Sequence, residues 1–274
     1  MKRILTFLAA LFMAACGTGT APPLSTVEAD PVITASAAPS ATPVPPRVDA
    51  FAVVGYFPDY RALDPAWARR LTDIVYFSAE PRADGTLDTS RFNPETLAQL
   101  NLLKKQYGLR VHISIGGWER SSGFAAMTSD SKTRERFIEN LTRYLLENNL
   151  DGVDFDWEFP EDDSQLKNYI ALLTEAKSAL EPFGMTVSVA LSPDFKESLE
   201  EFAVADRIHI MSYDRGAQHS TYEQAVADLR VFLDAGIPRE KMILGVPFYG
   251  RKNTPPYAAL SYAEIIARPP AATK

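Results

Sequence analysis

From about residue 50 onward, short apolar runs alternate with amphipathic helical segments, and this alternation limits the possible folds more than any other feature. Seven runs are rich in β-branched residues and have the length of strands: 52–56, 74–78, 111–115, 152–158, 186–191, 207–213 and 243–249. Helical stretches lie between most of them, for example at about 131–149. Alternation of this regularity predicts an α/β fold with a parallel sheet, either a (β/α)8 barrel or a doubly wound sheet.

Two further observations favour the barrel. No Gly-x-Gly-x-x-Gly sequence follows the first run, which disfavours the doubly wound dinucleotide fold. Several acidic residues lie at the C-terminal end of the fourth run, and barrel active sites are built at that end of the strands. We therefore predict a TIM-type (β/α)8 barrel.

Three acids in the fourth run are spaced two residues apart: Asp154, Asp156 and Glu158. Successive strand side chains point to opposite faces, so the acids share one face. The other face is apolar and can pack against helices; it carries Val153, Phe155 and Trp157. Repulsion between close carboxylates raises at least one pKa and provides a proton donor near neutral pH. A solvated acidic edge strand and a cation site with oxygen ligands are the alternatives, and the apolar opposite face disfavours both.

Composition sets the broad class. The chain has 274 residues, 46% of them hydrophobic, which suffices for one large domain. A formal net charge of −7 provides no basic surface for nucleic acid. The three histidines (His112, His209 and His219) lack the spacing of metal ligands, and two lie in apolar runs. We interpret those two as core residues and expect no metal site.

The N-terminus resembles a processed targeting segment. Lys2 and Arg3 precede an apolar stretch of 12 residues, too short to span a bilayer. The sequence Met-Ala-Ala-Cys-Gly at 13–17 resembles a bacterial lipoprotein cleavage box and contains the only cysteine of the chain. We therefore expect residues 1–15 to be a lipoprotein signal peptide and Cys16 to carry lipid; an ordinary secretory peptide is the alternative. The glycine after Cys16 favours the outer membrane or cell surface of a bacterial envelope.

Residues 16–49 are rich in Pro, Ala, Ser and Thr and show no hydrophobic periodicity. This composition predicts a disordered tether that would hold the folded part, residues 50–274, clear of a membrane.

Motifs at the strand ends occur in a defined order. They are Gly-Tyr at 55–56, Ser-Ile-Gly-Gly-Trp at 114–118, Asp-Gly-Val-Asp-Phe-Asp-Trp-Glu at 151–158, Met-Ser-Tyr-Asp at 211–214 and Leu-Gly-Val-Pro-Phe-Tyr-Gly-Arg at 244–251. Over about residues 51–265 this set resembles glycoside hydrolase family 18, the chitinase family. The motif of the fourth strand is the most specific of them.

The resemblance implies retaining hydrolysis without metal or cofactor, in which the substrate's own 2-acetamido group is the nucleophile. Glu158 would be the general acid and later the base, and Asp156 would hold the acetamido N–H. Asp154 would share a proton with Asp156, and Tyr213 would orient the acetamido oxygen. The substrate-lining positions implied are Tyr56, Ser114, Gly117, Trp118, Met211, Asp214, Tyr249 and Arg251. Asp151 has the opposite strand parity to the other acids, and we interpret it as structural.

The sequence departs from the family at its C-terminal end. Only 24 residues follow Gly250, and the prolines at 269 and 270 exclude a central strand there. A short helix is expected at 261–266. We predict an incomplete barrel of seven strands without the eighth βα unit, and open edges on the first and seventh strands. The sequence is a fragment of a longer product, a natural truncation, or a chain whose N-terminal segment or second subunit covers the gap.

Taken together, these features predict a secreted, membrane-tethered chitinase that hydrolyses β-1,4-linked N-acetylglucosamine polymers. An endo-β-N-acetylglucosaminidase acting on N-glycans is the nearest alternative. Such enzymes share the signature and lack an α+β insertion after the seventh strand, and little more than ten residues separate Gly250 from Ser261 here. A carbohydrate-binding relic is suggested by the missing strand and opposed by the intact Glu158. A non-enzymatic anchor or scaffold does not explain the motif density.

Overall fold

The computed structural model describes residues 51–195, 198–216, 218–252 and 258–268. One sheet dominates it, with strands β1 (Val54–Pro58), β2 (Asp73–Pro81), β3 (Leu87–Asp88), β4 (Arg110–Gly116), β5 (Gly152–Asp156), β6 (Thr186–Leu191), β7 (Arg207–Met211) and β8 (Met242–Gly245). Strand β3 is antiparallel to β2. The other seven are parallel in the order β1, β2, β4, β5, β6, β7, β8.

Helices connect the strands as the alternation predicts. They are α1 (Pro94–Tyr107), α2 (Phe124–Thr128), α3 (Ser131–Glu147), α4 (Asp163–Leu180) and α5 (Tyr222–Asp234), with 3₁₀ turns at Ala68–Arg70, Glu181–Phe183, Leu199–Val204 and Arg239–Lys241. Side-chain caps define where α1, α3 and α4 begin: Asn93, Asp130 and Asp162 each accept hydrogen bonds from backbone N–H groups of the first turn. Among the residues described, no helix combines the length and the apolar character needed to cross a membrane.

The outward face of β5 packs against the helices, as the alternation of its residues predicts. Phe155 is fully buried, and its ring lies 6.5 Å from that of Phe137 on α3. The indole of Trp157, just beyond the strand, stacks on Phe124 of α2 with centroids 5.0 Å apart. Burying side chains of this size stabilises the fold by about 1.5–3 kcal/mol each, so the apolar face fixes the orientation of the acids opposite.

The sheet curls into an incomplete (β/α)8 barrel, which confirms the predicted fold class. Strands β1 and β7 are five strand spacings apart along the sheet, or about 24 Å if it were flat. Yet the hydroxyl of Tyr56 on β1 lies 2.6 Å from Nδ1 of His209 on β7. Arg207 of β7 likewise lies 2.9 Å from Asp73 of β2. Within the described residues, no strand pairs with the outer edge of β1 or of β8.

The C-terminal part differs from the prediction in one respect. The apolar run at 243–249 does not form one strand, because β8 ends at Gly245. Beyond it, β9 (Tyr249–Arg251) and β10 (Ala259–Ser261) form an antiparallel pair that the sequence did not predict. The expected short helix is present as α6 (Tyr262–Ile266), and Ser261 and Glu264 form its capping box. The prolines at 269 and 270, the predicted signal peptide, Cys16 and the tether lie outside the described residues.

Two of the predicted strands are also shorter than expected. Strand β5 ends at Asp156 and β7 ends at Met211, because the last residues paired with neighbouring strands are these two. Glu158 and Tyr213 therefore lie in the loops that follow, and their positions depend on loop contacts and not on strand parity.

Candidate active site

Asp154 and Asp156 lie at the C-terminal end of β5, Glu158 lies just beyond it, and the three acids become more exposed along the chain. Asp154 is fully buried, Asp156 is 5% exposed, and Glu158 is half-buried. In a barrel, this end of the strands is where loops from several strands converge. The structure thus places the acids where the resemblance expects a site.

Asp154 is surrounded by donors from three other strands. The hydroxyl of Ser188 donates to Oδ1 at 2.6 Å, and that of Tyr56 donates to Oδ2 at 2.7 Å. Nδ1 of His209 lies 3.1 Å from Oδ1. Burial opposes ionisation of Asp154, but the charge of His209 and the hydrogen bonds from His209, Ser188 and Tyr56 outweigh it and hold the pKa of Asp154 below its ordinary value. Asp154 therefore stays ionised although it is fully buried.

Asp156 has the opposite environment. Its Oδ1 has no hydrogen-bond partner among the described residues. Burial first, and then the charges of Glu158 and Asp154, raise the pKa of Asp156 well above its ordinary value. The proton sharing between Asp154 and Asp156 that the resemblance implies stays a prediction.

Glu158 has the properties of a proton donor. Burial raises its pKa, a hydrogen bond from the backbone N–H of Trp118 lowers it, and the charge of Asp214 raises it, with a net rise. A protonated carboxyl group at a half-open position can give its proton to a bound molecule and take one back afterwards. This is the chemistry that the sequence assigned to Glu158.

A second group of side chains follows β7 and β8. Asp214 accepts a hydrogen bond of 2.7 Å from the hydroxyl of Tyr249 and bonds of 2.5 and 2.6 Å from Nε and Nη2 of Arg251. Burial raises the pKa of Asp214, but Arg251 and Tyr249 outweigh it, so Asp214 is ionised. The ring of Tyr213 lies edge-on to Tyr249 with centroids 6.2 Å apart.

Tyr213 interacts electrostatically with the acids of the site. Burial raises the pKa of its phenol, and the charge of Asp156 raises it further, followed by Tyr249, Glu158 and Asp214. The phenol therefore keeps its proton and remains a hydrogen-bond donor. The structure thus brings Tyr213 within electrostatic reach of Asp156, Glu158 and Asp214.

The remaining predicted positions are more varied. Ser114 pairs with Asp154 in the sheet and is fully buried, and its hydroxyl has no partner within the described part of the chain. Gly117 has a φ of +99°, and an added Cβ would come within 2.2 Å of the Phe77 ring. Trp118 is 69% exposed, which suits a surface for stacking on a sugar. Met211 is the last residue of β7. The roles of all these residues stay predictions.

Two site residues were not predicted. Ser188 and His209 were assigned to apolar strands, and both contact Asp154. Their strand parity could have indicated this, because Ser188 is an isolated polar residue in β6 and His209 shares its face with Met211. The structural interpretation of Asp151 is confirmed: its carboxylate accepts a 2.8 Å bond from the N–H of Val111 and lies 2.8 Å from Nζ of Lys104. Within the described ranges, no three His, Cys, Asp or Glu side chains are arranged to hold a metal ion.

Comparisons with known proteins agree with this geometry. The model of the family described as glycosyl hydrolases family 18 matches residues 52–267. The chain is 29% identical over 292 residues to Chitinase 1 of Aphanocladium album, and the match covers 83% of this chain and 68% of that protein. The structure is similar to the GH18 chitinase ChiB from the chitin utilization locus of Flavobacterium johnsoniae, with a TM-score of 0.69 and 26% identity, covering 79% of this chain and 74% of that chain.

The fold is also shared with a GH18 chitinase of Cycas revoluta, with a TM-score of 0.70, 23% identity and 78% of each chain covered. Several other curated relatives are longer. The chain spans only 28% of Chitinase A1 of Niallia circulans, to which it is 33% identical over 199 residues, or 56% of this chain.

Proposed function

The chain belongs to family 18 of the glycosyl hydrolases, and from this premise we propose that it hydrolyses β-1,4 bonds in polymers of N-acetylglucosamine. The observation that carries the proposal is the electrostatic division among the acids. Asp154 is held ionised, whereas burial and the charges of Glu158 and Asp154 raise the pKa of Asp156, and burial and the charge of Asp214 raise the pKa of Glu158. A site of this kind offers a proton to a leaving group and a carboxylate to a developing positive charge.

In the first step, Glu158 gives its proton to the glycosidic oxygen, and the bond between that oxygen and C1 breaks. The carbonyl oxygen of the 2-acetamido group attacks C1 from the opposite face, which forms an oxazolinium ion. Asp156 accepts the acetamido N–H and, as a pair with the ionised Asp154, offsets the positive charge, and Tyr213 donates to the acetamido oxygen. No protein nucleophile is needed.

In the second step, the Glu158 carboxylate takes a proton from an incoming water as that water attacks C1. The ring opens to restore the acetamido group, Glu158 regains its proton, and the product keeps its β configuration after two inversions. Asp154 contributes by holding a fixed negative charge beneath Asp156, since its hydrogen bonds from Tyr56 and Ser188 favour the ionised form.

Chitin and chito-oligosaccharides are the substrates best supported. The relative from Aphanocladium album is a chitinase, and the structural neighbour from Flavobacterium johnsoniae comes from a chitin utilization locus. An endo-β-N-acetylglucosaminidase acting on N-glycans and a binding relic without catalysis are the alternatives. Assays of chitin oligomers beside a high-mannose glycopeptide separate the first two.

The test is hydrolysis of a fluorogenic chitobioside by the full chain, with Glu158→Gln as the matched variant. The amide keeps the size of the side chain but has no proton to give, so turnover should fall by at least about a thousandfold while binding of chitin oligomers is retained. Equal rates for the two proteins would exclude the mechanism. Oligomer binding by a wild type that does not hydrolyse would support the relic.

We also propose that the protein is secreted and held at a bacterial cell envelope by lipid on Cys16. The sequence at 13–17 supports this, as does the Pro- and Ala-rich segment that follows. Growth of the producing cells with a radioactive fatty acid tests it. Label on the wild type and none on Cys16→Ser is expected; an unlabelled wild type would leave an ordinary secretory peptide as the explanation.

A further inference from the structure

Ser121, in the loop between β4 and α2, lies where the backbones of two loops meet. The N–H of Glu158 donates to its hydroxyl oxygen at 3.0 Å. The same hydroxyl lies 3.0 Å from the carbonyl oxygen of Gly117 and 3.1 Å from that of Asp156. A hydroxyl group has one proton and two lone pairs, so Ser121 accepts from Glu158 and donates toward the two carbonyls. The side chain is 8% exposed and offers no surface to a substrate.

The Ser121 hydroxyl accepts the hydrogen bond from the Glu158 backbone N–H that a neighbouring strand would otherwise accept. Pairing of β5 with β4 ends at Asp156, and pairing with β6 ends at Phe155. The backbone N–H of Glu158 therefore lies beyond the sheet, where no ladder hydrogen bond can hold it. A buried backbone N–H must find another acceptor, and Ser121 is the acceptor present.

Other residues of the loop that contains Ser121 also contact residues 156–158. The N–H of Gly117 donates to the carbonyl oxygen of Asp156 at 2.6 Å. Gly116 has a φ of +97°, and an added Cβ would come within 2.3 Å of that oxygen, so only glycine allows the approach. Trp118, which follows Gly117, supplies the backbone N–H that favours the ionised carboxylate of Glu158. One loop thus contacts both the backbone and the carboxylate of Glu158.

We propose that Ser121 is a positioning residue for the general acid: its hydroxyl holds the backbone of Glu158 against the loop of residues 116–121 and so fixes the position of the Glu158 carboxylate. The proposal rests on the proposed function, because it assumes that Glu158 is the acid. Loss of the hydroxyl leaves an N–H and two carbonyl groups without this partner, and the segment can relax only by moving Glu158 away from the loop.

Kinetics of the full chain provide the first part of the test. Ser121→Ala should lower kcat by about ten- to a hundredfold, as expected when a reacting group is misplaced by about 1 Å, and should leave KM within about twofold. Ser121→Thr keeps the hydroxyl and should restore most of the rate. The control is Thr128→Val, also fully buried; the Thr128 hydroxyl has no partner within the described residues, so kcat should not change.

Titration of the Glu158 carboxyl carbon by NMR decides the matter independently of turnover, with Glu158→Gln identifying the signal. In Ser121→Ala the pKa of Glu158 should rise, because its ionised form loses the hydrogen bond from Trp118. An unchanged pKa overturns the proposal, whatever happens to kcat or Tm. If Ser121→Ala does not fold, Ser121→Cys takes its place, since a thiol is a weak acceptor. A wild type that hydrolyses nothing would refute the proposed function, and the titration would still test Ser121.

Discussion

The phenol of Tyr56 on β1 donates a 2.7 Å hydrogen bond to the buried carboxylate of Asp154 on β5, across the interior of the incomplete barrel. The same oxygen lies 2.6 Å from Nδ1 of His209 on β7. As a residue, Tyr56 is 42% exposed, yet its hydroxyl reaches the buried Asp154. These contacts connect three strands that are not neighbours in the sheet. They also join the partly exposed Tyr56 to the buried carboxylate of Asp154.

Removing this contact should weaken the proposed enzyme without unfolding it. Tyr56→Phe deletes the donor to an ionised group, a loss of about 1.5–3 kcal/mol, so kcat/KM on the chitobioside should fall about ten- to a hundredfold. Tyr60→Phe is the matched control, because Tyr60 is 72% exposed. Activity of Tyr56→Phe equal to that of this control would show that the Tyr56 hydroxyl does not act on Asp154.

The pH dependence of kcat/KM should report Glu158. The general acid must be protonated, so kcat/KM should fall as pH rises through its pKa, which lies above the ordinary value of 4.5. Asp214 contributes to this rise through its negative charge. Asp214→Asn should therefore move the basic limb of the profile to lower pH. A limb that stays in place or moves to higher pH would contradict this electrostatic account.

A buried charge cluster at the N-terminal end of the barrel should determine much of the stability. Asp73 is fully buried and lies 2.8–2.9 Å from Arg110, His112 and Arg207, which come from β4 and β7. Asp73→Asn leaves these groups without their counter-charge and should reduce the free energy of unfolding by about 3–5 kcal/mol in urea. Asp84→Asn, at an exposed side chain whose amide oxygen can still accept the two hydrogen bonds from Thr86, should change the urea midpoint little.

The same variant tests the effect of pH on stability. Burial raises the pKa of Asp73, but the hydrogen bonds from His112 and Thr72 and the charges of His112 and Arg207 outweigh it, and the folded-state pKa lies well below the ordinary 3.8. The stabilisation by Asp73 is therefore complete above 3.8 and is lost as pH falls toward the folded-state value. The stability difference between wild type and Asp73→Asn should shrink at about pH 3 relative to pH 6. A difference that grows on acidification would refute this linkage.

Residue 117 should not tolerate a side chain, because both its backbone conformation and its surroundings require glycine. A Cβ there would overlap the ring of Phe77 in addition to requiring a φ of +99°. Gly117→Ala should reduce the free energy of unfolding by about 2–4 kcal/mol. Gly108→Ala provides the comparison, since Gly108 has a φ of +68° and nothing within 4 Å of an added Cβ, and should cost only about 1 kcal/mol of backbone strain. Equal losses for both variants would show that the contact with Phe77 is unimportant.

The parts of the fold and site that depend on local patterns could be predicted from the sequence. Strand alternation predicted that the acids face away from Phe155 and Trp157, and capping residues marked where the helices begin. Where the pattern alone was used to extend strands, it was wrong: Glu158 and Tyr213 lie beyond the strand ends. The reason is that a strand ends where its neighbours stop pairing, which depends on residues distant in sequence.

The sequence by itself determined the parallel α/β architecture, the placement of Asp154 and Asp156 on one strand face and the family to which the chain belongs, because each of these rests on residue spacing within short segments. Only the tertiary structure decided which acid stays ionised and what holds Glu158. Asp154 obtains its hydrogen bonds from Tyr56, Ser188 and His209, which lie on three other strands. Glu158 receives its backbone acceptor from Ser121, 37 residues earlier. Electrostatic environments are sums over neighbours in space, and those neighbours exist only after the sheet has curled.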